Sequence, residues 1–158
     1  QSSQSGERDV QRARAKKVTA KRKDNYLEGR LGLVIDGTGK DYGKISSQAA
    51  GLQQLGYDVH MIFVNTTLEV ALQRNKERDR TVPEKIAIDS WKQVQSNVGK
   101  LQSLFGPKNF IIVDNDMPDT DGKLFDHVFL KVKKLLTRKV DNYLAKAWMA
   151  KELRLKQR

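Results

Sequence analysis

Hydrophobic residues along this chain fall into two alternating patterns, short continuous runs and longer stretches with helical spacing. Leu31-Gly32-Leu33-Val34-Ile35 is a brief apolar run beside glycines, the signature of a strand buried on both faces of a parallel sheet. Val59 to Val64 and Phe110-Ile111-Ile112-Val113 predict two further strands. Between them apolar residues recur every three or four positions. Tyr42, Ile45, Ala49, Leu52 and Leu55 predict a helix closing at Gly56. Leu68, Val70, Ala71 and Leu72 predict a second, capped by Asn65-Thr66-Thr67 and carrying Glu69 in its first turn. Ile86, Ile88, Trp91, Val94, Val98 and Leu101 predict a third, opening near Pro83 and reaching about Phe105 before Gly106-Pro107. Leu124, Val128, Val132 and Leu135 predict a fourth, and the tail from Asp141 to Leu155 is helical in character. Glu7 to Glu28 has neither proline nor glycine and only a weak apolar stripe, which predicts a long polar helix lying on a surface and ending before Gly29. The order β-α-β-α-α-β-α implies an α/β fold, a parallel sheet with flanking helices and right-handed crossovers, plus long basic helices at both ends.

Residues 1–6 are expected to be a disordered or processed start, 7–28 a basic helix, 29–138 the α/β domain and 139–158 a basic helical tail. Composition then narrows the chemistry. With 158 residues, no cysteine and two histidines, the chain has no disulfide framework, thiolate nucleophile or cysteine zinc site. His60 and His127 are expected to be structural, so catalysis would run on carboxylates, lysine and arginine. Mean hydropathy is −0.65 and no run suits a membrane span. The net charge of +11 sits at the ends: residues 1–30 hold nine basic and four acidic side chains, and residues 123–158 hold eleven and three. Such ends could meet nucleic-acid phosphates or serve as a solvated surface. Trp148, within the basic tail, could stack on unpaired bases or pack on the body, whereas Trp91 has the spacing of a core residue.

In parallel sheets ligands sit at the carboxyl ends of the strands. Those ends carry Asp36-Gly37-Thr38-Gly39, Asn65-Thr66-Thr67 and Asp114-Asn115-Asp116. The first resembles a phosphate loop, but a G-x-x-x-x-G-K-[ST] motif ending at Gly39-Lys40 needs glycine at 34 and serine or threonine at 41, where the chain has Val34 and Asp41. The better reading makes Asp36 a carboxylate for hydrated magnesium, its alternative being a turn cap. Arg74 and Arg78, at i and i+4, are expected on one helix face with Arg80 beyond, able to clamp phosphate. Surface pairing with Glu77 and Asp79 is the alternative.

The run Leu33-Val34-Ile35-Asp36-Gly37-Thr38-Gly39, then Leu55 to Val59, Met61 to Thr66, Leu68 to Asn75 and Arg78 to Pro83, resembles zeta-toxin-like and polynucleotide-kinase-like P-loop kinases, nearest to tailed-phage versions. The likeness covers roughly residues 24–116, and Leu68 to Pro83 is its most specific part. It implies a phosphotransferase moving the γ-phosphoryl of ATP, with Mg, to a hydroxyl. Asp36 would be the Walker B-like carboxylate and metal ligand, Arg74, Arg78 and Arg80 a lid within 74–83, and Gly37, Thr38, Asp114 and Asn115 contacts to the nucleotide. The family's Walker A strand and second acidic residue have no counterpart upstream of Asp36. The resemblance therefore implies a C-terminal portion, inactive alone, whose missing N-terminal segment or partner chain supplies the phosphate cradle. A cytoplasmic location is expected, in the host cell if the chain is phage-encoded. The competing expectation is a non-catalytic nucleic-acid-binding or phage assembly protein that uses the basic ends.

Overall fold

The computed structural model describes residues 2–118 and 120–157. Its elements are α1 (Ser2–Glu28), α2 (Tyr42–Gln54), β1 (Met61–Asn65), α3 (Leu68–Lys76), α4 (Glu84–Phe105), β2 (Phe110–Asp114), α5 (Lys123–Leu136) and α6 (Tyr143–Lys156). The chain divides into two compact units, Gln1–Gly37 and Thr38–Arg158.

In the first unit α1 begins at Ser2, so the Ser/Gln start expected to be disordered is helical from that residue. Its carboxyl end is closed by Leu31 N–H donating to Tyr26 O at 2.9 Å and Arg30 N–H donating to Leu27 O at 3.2 Å. This double closure requires a left-handed residue after the cap. Gly29 is not that residue: Arg30 takes φ 54°, and its guanidinium donates to Leu27 O at 2.8 Å.

The predicted strand at 31–35 does not form. Residues 31–38 carry no regular structure, and Val34 is 100% exposed. An apolar run becomes a buried strand only with a ladder partner and layers above and below, and among the described residues the sheet has two strands, neither pairing with this segment. The first compact unit runs on through this segment to Gly37.

In the second unit β1 and β2 run parallel, with Met61 opposite Phe110 and Asn65 opposite Asp114. The crossover between them is α3 and α4, so alternate residues of the strands meet different helices. Phe63 and Phe110, with ring centroids 6.1 Å apart, pack with Leu101, Tyr42, Ile45, Val94 and Val98 beneath α2 and α4. On the opposite face Ile111 and Val113 pack with Leu135, Leu124 and Val128 of α5. Leu101 is fully buried at 0% exposure and marks the centre of the larger core.

The segment 139–158 holds α6, and the entry to α6 is bound to this unit. Asp58 accepts from the backbone N–H groups of Asp141 and Asn142 at 2.9 and 3.1 Å, and the Asn142 amide donates to Gln53 O at 2.9 Å. Gly56 makes the approach possible. At φ 101° it lies so close that an added Cβ would stand 3.0 Å from Ala145 N. Among the described residues no helix is long and apolar enough to cross a membrane.

Candidate functional site at the carboxyl edge of the sheet

The polar turns at the ends of β1 and β2 are locked to each other. Asn115 N–H donates to Asn65 O at 2.9 Å, extending the ladder one residue past the strands. Asp116 turns back, accepting from Thr67 N–H at 2.6 Å, while its own N–H donates to Asp114 Oδ1 at 3.1 Å. Thr67 also caps α3 by accepting from Val70 N–H. From the other side α4 holds the same turn: the Trp91 indole donates to Thr66 O at 2.9 Å and the Gln95 amide to Asn65 Oδ1 at 2.8 Å.

The loop ahead of α2 is fastened to α4 as well. The amide of Asn97, 6% exposed, donates to Gly39 O at 3.1 Å and to Lys40 O at 2.8 Å. Lys40 Nζ reaches Ser90 Oγ at 3.3 Å, and Asp41 caps α2 by accepting from Lys44 N–H. Gly39 adopts φ 72°, and a Cβ there would touch Phe63 and Val94 at ordinary contact distance. The segment Thr38–Asp41 is therefore built into the second unit beside the β1 turn, with Thr38 exposed. Asp36 and Gly37 are the exposed last residues of the first unit.

Since Trp91 meets the residue that follows β1 and α4 then runs back toward the start of β2, the part of α4 ahead of Trp91 projects past the strand ends. The α3–α4 loop lies there too. Arg74 and Arg78 do not share a helix face, because α3 ends at Lys76 with Glu77 as its cap. The reason is Asn75, 8% exposed, whose amide donates to Val82 O at 2.8 Å and accepts from Val82 N–H at 3.1 Å. That pair pulls the chain off the helical path and closes a short loop bearing Arg78 and Arg80. Among the described residues no ion pair engages Arg74, Arg78 or Arg80. Glu77 accepts from Gln73 at 2.7 Å, and among the described residues it makes no ion pair with an arginine, as the alternative reading would require. A surface cleft of about 300 Å³ runs along Leu72, Asn75, Thr81 and Val82 at the base of the loop. Another of about 260 Å³ is lined by Asp114, Asp116, Met117, Pro118, Asp121 and Leu124. At its rim Lys123 pairs with the exposed Asp121 at 2.6 Å and, by hydrogen bonding, holds that carboxyl below its usual range.

The structure thus brings Thr38, Asp114, Asn115 and the arginine loop to elements that α4 ties together. The positioning residues Asn75, Asn97 and Gln95 escape sequence reasoning, and Asp116, named there only as part of the acidic turn, holds Thr67 N–H. A signal existed for two of them: Asn97 shares the helical spacing of Val94 and Leu101, and Asn75 follows Leu72 by three, so each is an amide on an apolar face. At the opposite, amino-terminal side of β1, the buried His60 Nδ1 has no hydrogen-bond partner among the described residues. Burial, and next the charge of Arg138, lower its pKa, against opposing pulls from the Asp58 charge and the Asn109 side chain.

Magnesium in phosphate chemistry commonly takes one or two carboxylates, its other positions being water and phosphate oxygens. Asp36 is an exposed carboxylate with no hydrogen-bond partner among the described residues, a donor of the single-carboxylate kind that this mode uses. A backbone cradle of the G-x-x-x-x-G-K-[ST] type is not in this sequence. Compared with known proteins, residues 3–123 match the family model described as Zeta toxin. No curated protein and no solved structure matches the chain.

Proposed function

Because the chain belongs to the zeta-toxin family, P-loop kinase-like nucleotide-dependent phosphotransferases, we propose that it carries the lid and metal-carboxylate portion of an enzyme transferring the γ-phosphoryl of ATP to a hydroxyl. The observation that carries this reading is the loop bearing Arg78 and Arg80, closed by Asn75 directly after Arg74 at the end of α3, where no ion pair among the described residues engages these arginines. Phosphoryl transfer needs positioning and charge stabilisation more than covalent chemistry, and guanidinium groups supply both. Arg74, Arg78 and Arg80 would hold the phosphate oxygens from above. Asp36 would hold the magnesium ion, which when bound neutralises charge on the phosphates. Thr38, Asp114 and Asn115 would face the nucleotide, with Gly37 allowing close backbone approach. The phosphate cradle would come from a segment or partner chain other than these 158 residues.

Two measurements test the reading. The 158-residue chain should bind Mg–ATP weakly or not at all by calorimetry, since most phosphate contacts in such kinases come from the cradle; tight, magnesium-dependent binding would overturn the division of labour. In the complete protein, Arg78→Ala should lower kcat by at least ~100-fold, more than it raises KM, because a lid arginine acts on charge developing in the transition state. Asp36→Asn should weaken magnesium-dependent turnover while leaving the unfolding temperature in place. Near-parental rates in both would return Asp36 to a loop carboxylate and Arg78 to a surface charge.

A further inference from the structure

Helix α1 has a use that the phosphotransferase reading does not absorb. From Gly6 to Arg22 every residue is exposed, and no described ion pair involves its cations. The arrangement of those cations is specific. Arg8, Arg12, Lys16 and Lys23 form one row and Arg14, Lys17 and Lys21 another, and at 3.6 residues per turn the rows lie on opposite sides, about 170° apart. The longer row extends roughly 22 Å at 1.5 Å per residue. Between the rows one stripe carries Asp9 and Asp24, and the other carries Gln11, Ala15, Val18 and Arg22; the remaining acids, Glu7 and Glu28, lie at the two ends of the helix, beside and within the shorter row.

We propose that α1 binds duplex DNA by lying in the major groove, its two basic rows on the phosphates of the two groove walls. A helix with side chains is about 10–12 Å across, and the B-form major groove about 12 Å wide admits one. Cations on two opposite sides suit a ligand with negative charge on both flanks, and a flat anionic surface would engage only one row. An interfacial membrane helix needs a continuous apolar face, which α1 lacks. The stripe with Gln11 and Arg22 faces the groove floor, where amide and guanidinium groups read base edges and Ala15 and Val18 can touch thymine methyls. The stripe with Asp9 and Asp24 faces solvent. The A-form major groove of double-stranded RNA is too deep and narrow for this placement.

The test is fluorescence anisotropy of the whole chain with a labelled 20-base-pair DNA duplex across a salt series. Seven phosphate contacts predict a log–log slope near −6 and a loss of affinity of at least about 10³-fold from 50 to 200 mM salt. Replacing two cations of either row, Arg12→Ala with Lys16→Ala or Lys17→Ala with Lys21→Ala, should each make the slope shallower by about 2, whereas Asp9→Ala should not weaken binding. Alanine keeps the helix, and circular dichroism confirms it in each variant. Absence of binding at 50 mM salt overturns the proposal. So does an unchanged slope in both pair variants, which would assign binding to the basic α6, or equal affinity for double-stranded RNA or for anionic phosphatidylserine vesicles.

Discussion

Replacing Asn75 by alanine isolates the device that shapes the arginine loop. In the parent the side-chain amide satisfies both backbone groups of Val82, at 2.8 and 3.1 Å. A net contribution of about 1 kcal/mol for each hydrogen bond gives roughly 2 kcal/mol for the pair. Val82 is near the surface, so once the loop opens water can replace the lost partner, and the cost stays at the low end for a polar group with 8% exposure. About 2 kcal/mol corresponds to an opening equilibrium shifted some thirtyfold. Amide hydrogen exchange read at Val82 should therefore accelerate by about that factor in Asn75→Ala, while amides of β1 and β2 change only as far as global stability falls. Asn75→Asp refines the test. Its carboxylate still accepts from Val82 N–H but sets its second oxygen against Val82 O, so exchange should be faster than in the parent at neutral pH and slow again once acid restores a donor. Equal Val82 exchange in parent and Asn75→Ala would refute the closure argument and leave the end of α3 to be explained by backbone preference alone.

Other perturbations probe the rest of the second unit. Gly56→Ala combines φ 101° with a Cβ only 3.0 Å from Ala145 N, and should cost at least about 2 kcal/mol in chemical denaturation; a loss under about 0.5 kcal/mol would show that α6 shifts freely. Asn97→Ala strips the donor from two carbonyls inside the fold and should cost about 2–3 kcal/mol, with the largest hydrogen-exchange change in the segment joining Gly39 to α2. His60 has a folded pKa below 6.5, so the unfolded chain takes up more protons as pH falls through that value; stability should be full above about pH 6.5 and decline below it. His60→Gln should flatten that decline in melts from about pH 8 to pH 5, and an unchanged profile would assign it to other groups.

The second unit is legible in the sequence because its elements announce themselves locally. Thr67 sits one residue before an apolar helical run and caps it, Gly106-Pro107 stops a helix at Phe105, and a β-branched run at 110–113 becomes a strand in parallel pairing. The segment 31–35 has the same local character and no strand, since pairing is decided by a neighbour that no local window contains. The end of α3 was hidden for a related reason: nothing near Lys76 stops a helix, and the bond that does comes from Val82, seven residues from Asn75. For the candidate site, residue types pointed to the carboxyl edge of the sheet. They did not show how its loops are held, because Asn97 and Gln95 act across 57 and 30 residues of chain.

Helix α4 turns three independent loops into one mechanical part. Its side chains grip the turn after β1 through Trp91 and Gln95 and the segment before α2 through Asn97, and its first turns abut the loop that Asn75 closes, while its carboxyl half is wedged in the core at Leu101. A rod held this way has no soft joint between its anchor and its grips. Any slide or roll of α4 moves Asn65–Thr67, Gly39–Lys40 and the arginine loop together and by comparable amounts. A conservative change at Leu101, more than two helical turns from Trp91, should therefore re-aim the whole rim at once, and tuning one loop alone would require a substitution in that loop.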